Sequence, residues 1–169
     1  MFEKNNPELI SNFQILNSST IELEKIFTDN YKYYLIKLKS ECKNKKDEDG
    51  YICMDFKIEE KNYLCYNSIS VDYINPNMEI MDNNIIISKT YNTVSCDIHI
   101  LNPNTTFDKI IIFNSNQNKM YGSYSINSSI KFDGIRFFIW KPDYAEYNKF
   151  TKITVCVYGY KDIVDIDFF

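Results

Sequence analysis

The sequence predicts an all-β fold, an antiparallel β-sandwich, jelly-roll-like, of about nine or ten short strands. Three observations predict it. Apolar and polar residues alternate at a period of two in several segments, the uninterrupted apolar runs are short, and Asn, Pro, Asp and Gly fall between them.

Taken in chain order, residues 18–27 leave two readings open. Ser19 with Glu22 three positions on has the form of a helical capping box, whereas Ile21, Leu23, Lys25 and Phe27 alternate as a strand does. In residues 51–59, Ile52, Met54, Phe56 and Ile58 take one face while Cys53, Asp55, Lys57 and Glu59 take the other, which predicts a half-buried strand. Residues 93–101 repeat the pattern, with Val94, Cys96, Ile98 and Ile100 facing inward and Ser95, Asp97 and His99 outward. In residues 152–158, Ile153, Val155 and Val157 oppose Thr154, Cys156 and Tyr158. The continuous runs 85–87, 110–113 and 135–140 predict central strands covered on both sides. Between them Asn75-Pro76-Asn77, Asp82-Asn83-Asn84, Asn102-Pro103-Asn104, Asn114-Ser115-Asn116 and Lys141-Pro142-Asp143 have turn composition.

A chain of 169 residues is expected to form one domain, long enough to bury roughly 70% of its unfolded surface. The net charge of −4 argues against nucleic-acid binding, which needs a concentrated basic surface. Lys43-Asn44-Lys45-Lys46 is followed at once by Asp47-Glu48-Asp49, as in a solvated loop. The abundance of Ile, Asn, Lys and Tyr, with Arg136 the sole arginine, is the bias of AT-rich coding. The first residues lack the apolar core of a signal peptide, and no run approaches the roughly 20 apolar residues of a membrane span. Synthesis in a cytoplasm and no membrane insertion are therefore expected.

Chemistry-bearing residues are sparse. Ser95, Asp97 and His99 project in parallel from one strand face at roughly 7 Å spacing, too far apart for a hydrogen-bonded triad. The five cysteines, Cys42, Cys53, Cys65, Cys96 and Cys156, form no Cys-x-x-Cys pair, and His99 is the one histidine. Zinc would need closely paired ligands, so no metal, no cofactor and no catalytic residue are expected. Arg136 interrupts an apolar strand and calls for a carboxylate, Asp133 or one from a neighbouring strand. The 14 tyrosines, with Asn and a single Trp, supply stacking faces and adaptable hydrogen bonds. A candidate binding surface follows: Trp140, Tyr144 and Tyr147 in one loop, and Asn116, Tyr121 and Tyr124 in a second.

The order of motifs has a further meaning. Ile98-His99-Ile100-Leu101-Asn102-Pro103-Asn104, Tyr121-Gly122-Ser123-Tyr124, Phe132-Asp133-Gly134-Ile135-Arg136-Phe137-Phe138 and Thr154-Val155-Cys156-Val157-Tyr158-Gly159-Tyr160 together resemble the β-sandwich domains at the ends of bacteriophage fibre and tail proteins. The likeness spans residues 12–161, is clearest over 93–161, and includes Tyr31 to Leu38 as the opening aromatic strand. It implies a domain at 12–161 between an N-terminal segment, 1–11, and an apolar tail, 162–169. It also implies an arginine at 136 as part of the strand pattern. The chain departs from the family in continuing past its Tyr-Gly pair and in lacking a shaft. Ile163, Val164, Ile166, Phe168 and Phe169 then form a candidate assembly tail.

The expected function is a non-enzymatic viral, phage-like structural protein: a fibre-tip domain or a capsid or tail decoration. It would sit in the virion, assembled in the host cytoplasm. Its partners would be other virion subunits, or a glycan or protein of the host surface, with no nucleic acid; the resemblance favours a homo-oligomer, a trimer first. The alternatives are a free-standing carbohydrate-binding module and a cytoplasmic viral protein that engages a host factor. A chain assembled in a reducing cytoplasm keeps its thiols. Thiol titration under denaturing, non-reducing conditions should therefore find all five cysteines reduced, and two stable disulfides would contradict the compartment.

Overall fold

The computed structural model describes residues 6–42, 50–58, 62–63, 69–74, 85–90, 93–115, 120–126, 129–140 and 149–162. These residues form strands β1 (Glu8–Ser18), β2 (Thr20–Leu23), β3 (Tyr33–Cys42), β4 (Tyr51–Ile58), β5 (Asn62–Tyr63) and β6 (Ile69–Ile74), followed by β7 (Ile85–Lys89), β8 (Thr93–Leu101), β9 (Lys109–Ser115), β10 (Met120–Ile126), β11 (Gly134–Trp140) and β12 (Phe150–Tyr160). All pairings are antiparallel and build two sheets. One has seven strands in the order β1-β12-β3-β8-β9-β10-β6; the other has β2-β11-β4-β5, with β7 also paired to β4. The predicted all-β sandwich is what forms. Of residues 18–27, Thr20–Leu23 form a strand and none is helical, because Ile21 and Leu23 insert into the core from β2. β1 begins at Glu8 and so takes in residues 8–11.

The core lies between the two sheets. Ile52, Met54 and Phe56 from β4, Ile98 and Ile100 from β8, Ile135 and Phe137 from β11, and Ile153 and Val155 from β12 are all 0% exposed and belong to one cluster. Each such side chain contributes roughly 1.5–3 kcal/mol by leaving water. Aromatic rings fill the middle, with Phe56 stacked on Phe132 at 4.5 Å and Phe27 edge-on to Tyr34 at 4.9 Å. Gly134 explains the glycine of the Phe-Asp-Gly-Ile motif: a Cβ there would lie 2.3 Å from the Leu23 carbonyl oxygen, so β2 closes on β11 only over a glycine.

Three strands depart from their predicted burial, among them β11, whose run 135–140 alternates, with Ile135, Phe137 and Ile139 buried and Arg136, Phe138 and Trp140 half-buried, rather than being covered on both sides. β4 is buried on both faces, not one, with Cys53, Asp55 and Lys57 as inaccessible as the core side. On the outward side Tyr51 and Cys53 pack in a second apolar cluster with Ile86 and Met120, against Phe138 and Trp140. β9 errs the other way. Its run Ile110 to Phe113 alternates, so Ile111 and Phe113 are buried while Ile110 is 39% exposed and Ile112 half-buried. The seven-stranded sheet is packed on one side only at β9, and the run supplies apolar residues to both sides.

Arg136 meets a carboxylate from the neighbouring strand. β11 and β4 place it directly opposite Asp55, and Nη2 and Nε (3.2 Å) both donate to Asp55 Oδ2. Asp55 is 1% exposed, and burial raises its pKa while Arg136 pulls it down. Cys53 and Cys96 are buried thiols whose pKa burial also raises. Arg136→Met should destabilise the fold by about 3 kcal/mol in urea unfolding, because it strands a buried carboxylate. The loss should shrink towards acid pH as Asp55 protonates, and Arg136→Met with Asp55→Leu should recover more than half of it.

Candidate functional site

The cross-strand register writes a pattern onto the outward face of the seven-stranded sheet. Directly paired residues share a face, so Leu9, Tyr158, Leu35, His99 and Ile112 form one row across β1, β12, β3, β8 and β9. Tyr160, Tyr33, Leu101 and Ile110 form the next. Moving along the strands the face becomes polar: Asn12, Cys156, Lys37, Asp97, Asn114 and Tyr121 make the third row. Gln14, Thr154, Lys39 and Ser95 make the fourth. An aromatic and aliphatic band thus occupies one end of the face and a charged, hydroxyl-rich field the other. Within the polar field Lys39, Glu41, Lys152 and Thr154 line a shallow depression.

The band is ordered by polar anchors. Tyr33 is 3% exposed, wedged between Tyr160 at 4.7 Å and His99, and its hydroxyl bonds His99 Nδ1 at 2.5 Å. Burial raises the Tyr33 pKa, helped by Tyr160 and Asp97, so the phenol stays protonated. Burial lowers that of His99; Asp97 opposes the shift and Lys37 adds to it. The charged imidazolium is thereby disfavoured, and one hydrogen bond joins the Tyr33 hydroxyl to Nδ1. At the strand ends Glu8 hydrogen-bonds Tyr31 and pushes its pKa up to about 12. Gly159 makes room there, since a Cβ would lie 2.6 Å from both Ile10 Cδ1 and the Tyr31 ring.

The predicted surface residues disperse. Tyr121 is 36% exposed and stands on the outward face. Tyr124, one strand face away, turns inward and is corrected from surface to core. It is 2% exposed; its hydroxyl donates to the Ile86 carbonyl at 3.1 Å and accepts from the Ile86 N–H at 3.3 Å. Trp140 is half-buried on the other sheet, with its ring 6.2 Å from that of Tyr51. Tyr144, Tyr147 and Asn116 lie outside the described residues, as do Ile163, Val164, Ile166, Phe168 and Phe169. Ser95, Asp97 and His99 are on one strand as predicted, His99 engaged by Tyr33 and Asp97 3.9 Å from Lys37.

Sequence reasoning missed Leu9, Leu35, Leu101, Ile110, Ile112, Tyr158 and Tyr160 as a group. The signal that finds them is register: apolar residues at outward positions of five adjacent strands. It also missed Phe107, 71% exposed on the loop between β8 and β9. That loop is held by Lys109, whose Nζ donates to the Thr105 and Phe107 carbonyls at 2.9 and 2.8 Å and lies 5.3 Å from the Phe132 ring centroid. No family model matches the chain, and no curated protein matches its sequence.

The His99 pKa is lowered from 6.5, so the unfolded chain takes up that proton first as pH falls. Stability should be complete above about pH 6.5 and decline below it, through the folded value. Denaturant midpoints at about pH 7.5 and about pH 5.5 should differ in the wild type and converge in His99→Gln. Tyr33→Phe should cost about 1 kcal/mol at the higher pH.

Proposed function

We propose that this chain is a β-sandwich component of a phage or phage-like virion, a fibre-tip or decoration domain that attaches to a host surface or to neighbouring subunits and carries out no chemistry. The observation that carries the reading is the apolar band on the outward sheet face. Leu9, Leu35, Ile110, Ile112, Tyr158 and Tyr160 are contiguous across paired strands, and a contiguous apolar area rimmed by polar residues marks a docking surface. A folding role does not account for it, since the core is complete on the opposite side of the same sheet. The strand motifs that resemble phage fibre domains supply the virion context.

The titratable side chains support attachment rather than turnover. Arg136 is engaged by Asp55, Tyr33 by His99, and Lys109 by two carbonyls. Each is spent on holding a strand or loop in place. Residues 162–169 add a second attachment element in this reading, docking as a strand on a subunit.

One feature favours the carbohydrate-binding module as a second reading: Tyr158 and Tyr160 beside His99 and the polar field, an aromatic platform next to hydrogen-bonding groups. Mass spectrometry of purified virions separates the two. The chain should be present at stoichiometric level, and Tyr158→Ala with Tyr160→Ala should weaken attachment to host cells or particles about tenfold or more. The chain's absence from particles, with saturable glycan binding that the same pair abolishes, would transfer the assignment to the second reading.

A further inference from the structure

We propose that β1 is a self-association edge: two copies of this chain pair their β1 strands antiparallel about a two-fold axis at Phe13, joining two seven-stranded sheets into one. The inference goes beyond the virion reading and does not depend on it.

β1 closes one side of the seven-stranded sheet, and among the described residues only β12 pairs with it. A bare strand edge is a template for another strand, and folded proteins guard such edges with charge, proline, brevity or bulges. The outermost strand of the other sheet is guarded in this way. β2 has four residues, carries Glu22, and is followed by Glu24 and Lys25. β1 is the opposite case past its one bulge, between Leu9 and Ser11: eleven residues long, without proline, and uncharged from Leu9 to Ser18. Leu9, Phe13 and Leu16 are 54%, 37% and 59% exposed on it.

The lack of charge selects a second copy as occupant. An identical strand brings identical charges, so a like pair meets no repulsion only when its edge is neutral. A two-fold axis at Phe13 leaves the single charged residue, Glu8, beyond the β-bulge between Leu9 and Ser11 and at the far end of the ladder from its own copy. The pleat constrains the register further. Directly opposed residues must share a face, so the two residue numbers of each pair sum to an even number. Centring on Phe13 gives Phe13 opposite Phe13, Asn12 opposite Gln14 and Ser11 opposite Ile15. Phe13 and Ile15 lie opposite Val155 and Ile153 of β12, on the core side of the sheet. The pairing would extend the apolar layer across the two-fold axis, while the outer amides of Asn12 and Gln14 hydrogen-bond across it.

Sedimentation of the full chain tests the pairing, and a concentration-dependent dimer is expected. Asn12→Lys with Gln14→Lys places ammonium groups opposite one another on the outer face and should raise the dimer Kd about a hundredfold or more, with the far-UV spectrum unchanged. The register has its own readout. Phe13→Cys puts two Cβ atoms about 5 Å apart, within reach of a disulfide, so mild oxidation should cross-link it above the level of the unaltered chain. Leu16→Cys holds its two thiols about 20 Å apart and should not cross-link. A monomer, a trimer, or a dimer indifferent to the lysine pair overturns the proposal, and so does a dimer lost only on deletion of residues 163–169. Virion content is measured separately: a monomer found in particles refutes the pairing alone, and a dimer absent from particles refutes the virion reading alone.

Discussion

The structure depends on a mismatch of width: seven strands in one sheet face five in the other. Inward residues of β3, β8, β9 and β12 find a facing strand and become inaccessible, as Ile36, Ile98, Ile111 and Val155 do at 0% exposure. The cover ends at β12. Phe13 pairs with Val155 across β1 and β12 and points to the same side, yet it keeps 37% of its surface in water. β1 is therefore held by its ladder to β12 and by the packing of Ile10 and Ile15 rather than by full burial. Both candidate attachment surfaces follow from this geometry. One is the outward side of the wide sheet, and the other is the edge that the narrow sheet does not reach.

Charge is used inside this fold to set register. β4 is the middle of the narrow sheet, and its outward side carries Asp55 at 1% and Lys57 at 4% exposure. Desolvating a carboxylate or an ammonium costs several kcal/mol, which only a well-placed partner offsets. Asp55 takes Arg136 from β11, and Lys57 takes Glu24 from the chain after β2. A slip of β11 by one residue would turn Arg136 inward and strand Asp55, so the pair penalises the wrong register even where it adds little net stability.

The strand pattern was readable because period-two alternation is a direct record of which residues face the core, and every core position named from it is buried except Ile58, which is half-buried at the end of β4. Continuous runs were less informative. Ile85 to Ile87 and Ile110 to Phe113 look alike in sequence, but the first is buried throughout and the second shows alternate residues to solvent. The difference lies in what covers each sheet face, a long-range fact that a local window does not hold. Tyr124 was misplaced for a related reason. A tyrosine whose hydroxyl finds a backbone partner can be buried whole, and that partner, Ile86, lies on a different strand. The Arg136 partnership was legible as a need for a carboxylate, while its identity waited on the pairing of β11 with β4.

Lys109 shows how a polar loop is made to keep its shape. Residues 102–108 bury Pro103, but their one large apolar side chain, Phe107, is 71% exposed, so apolar burial does not hold the outer part of the segment. An ammonium drawn in from β9 does this instead. It gives the Thr105 and Phe107 carbonyls donors at 2.9 and 2.8 Å, and the Phe132 ring faces it from the next loop. Burial lowers the Lys109 pKa and Asp108 opposes the shift. Asn102 helps from the other end, adopting φ 56°, a left-handed conformation that asparagine tolerates, and donating its N–H to the Lys32 carbonyl at 2.8 Å. The loop is tied to the sandwich at the Asn102 N–H, at the Pro103 carbonyl, which accepts from the Phe132 N–H, at the Asn104 amide, which donates to the Phe27 carbonyl, and across the Thr105 and Phe107 carbonyls, and it displays the aromatic ring of Phe107 to solvent.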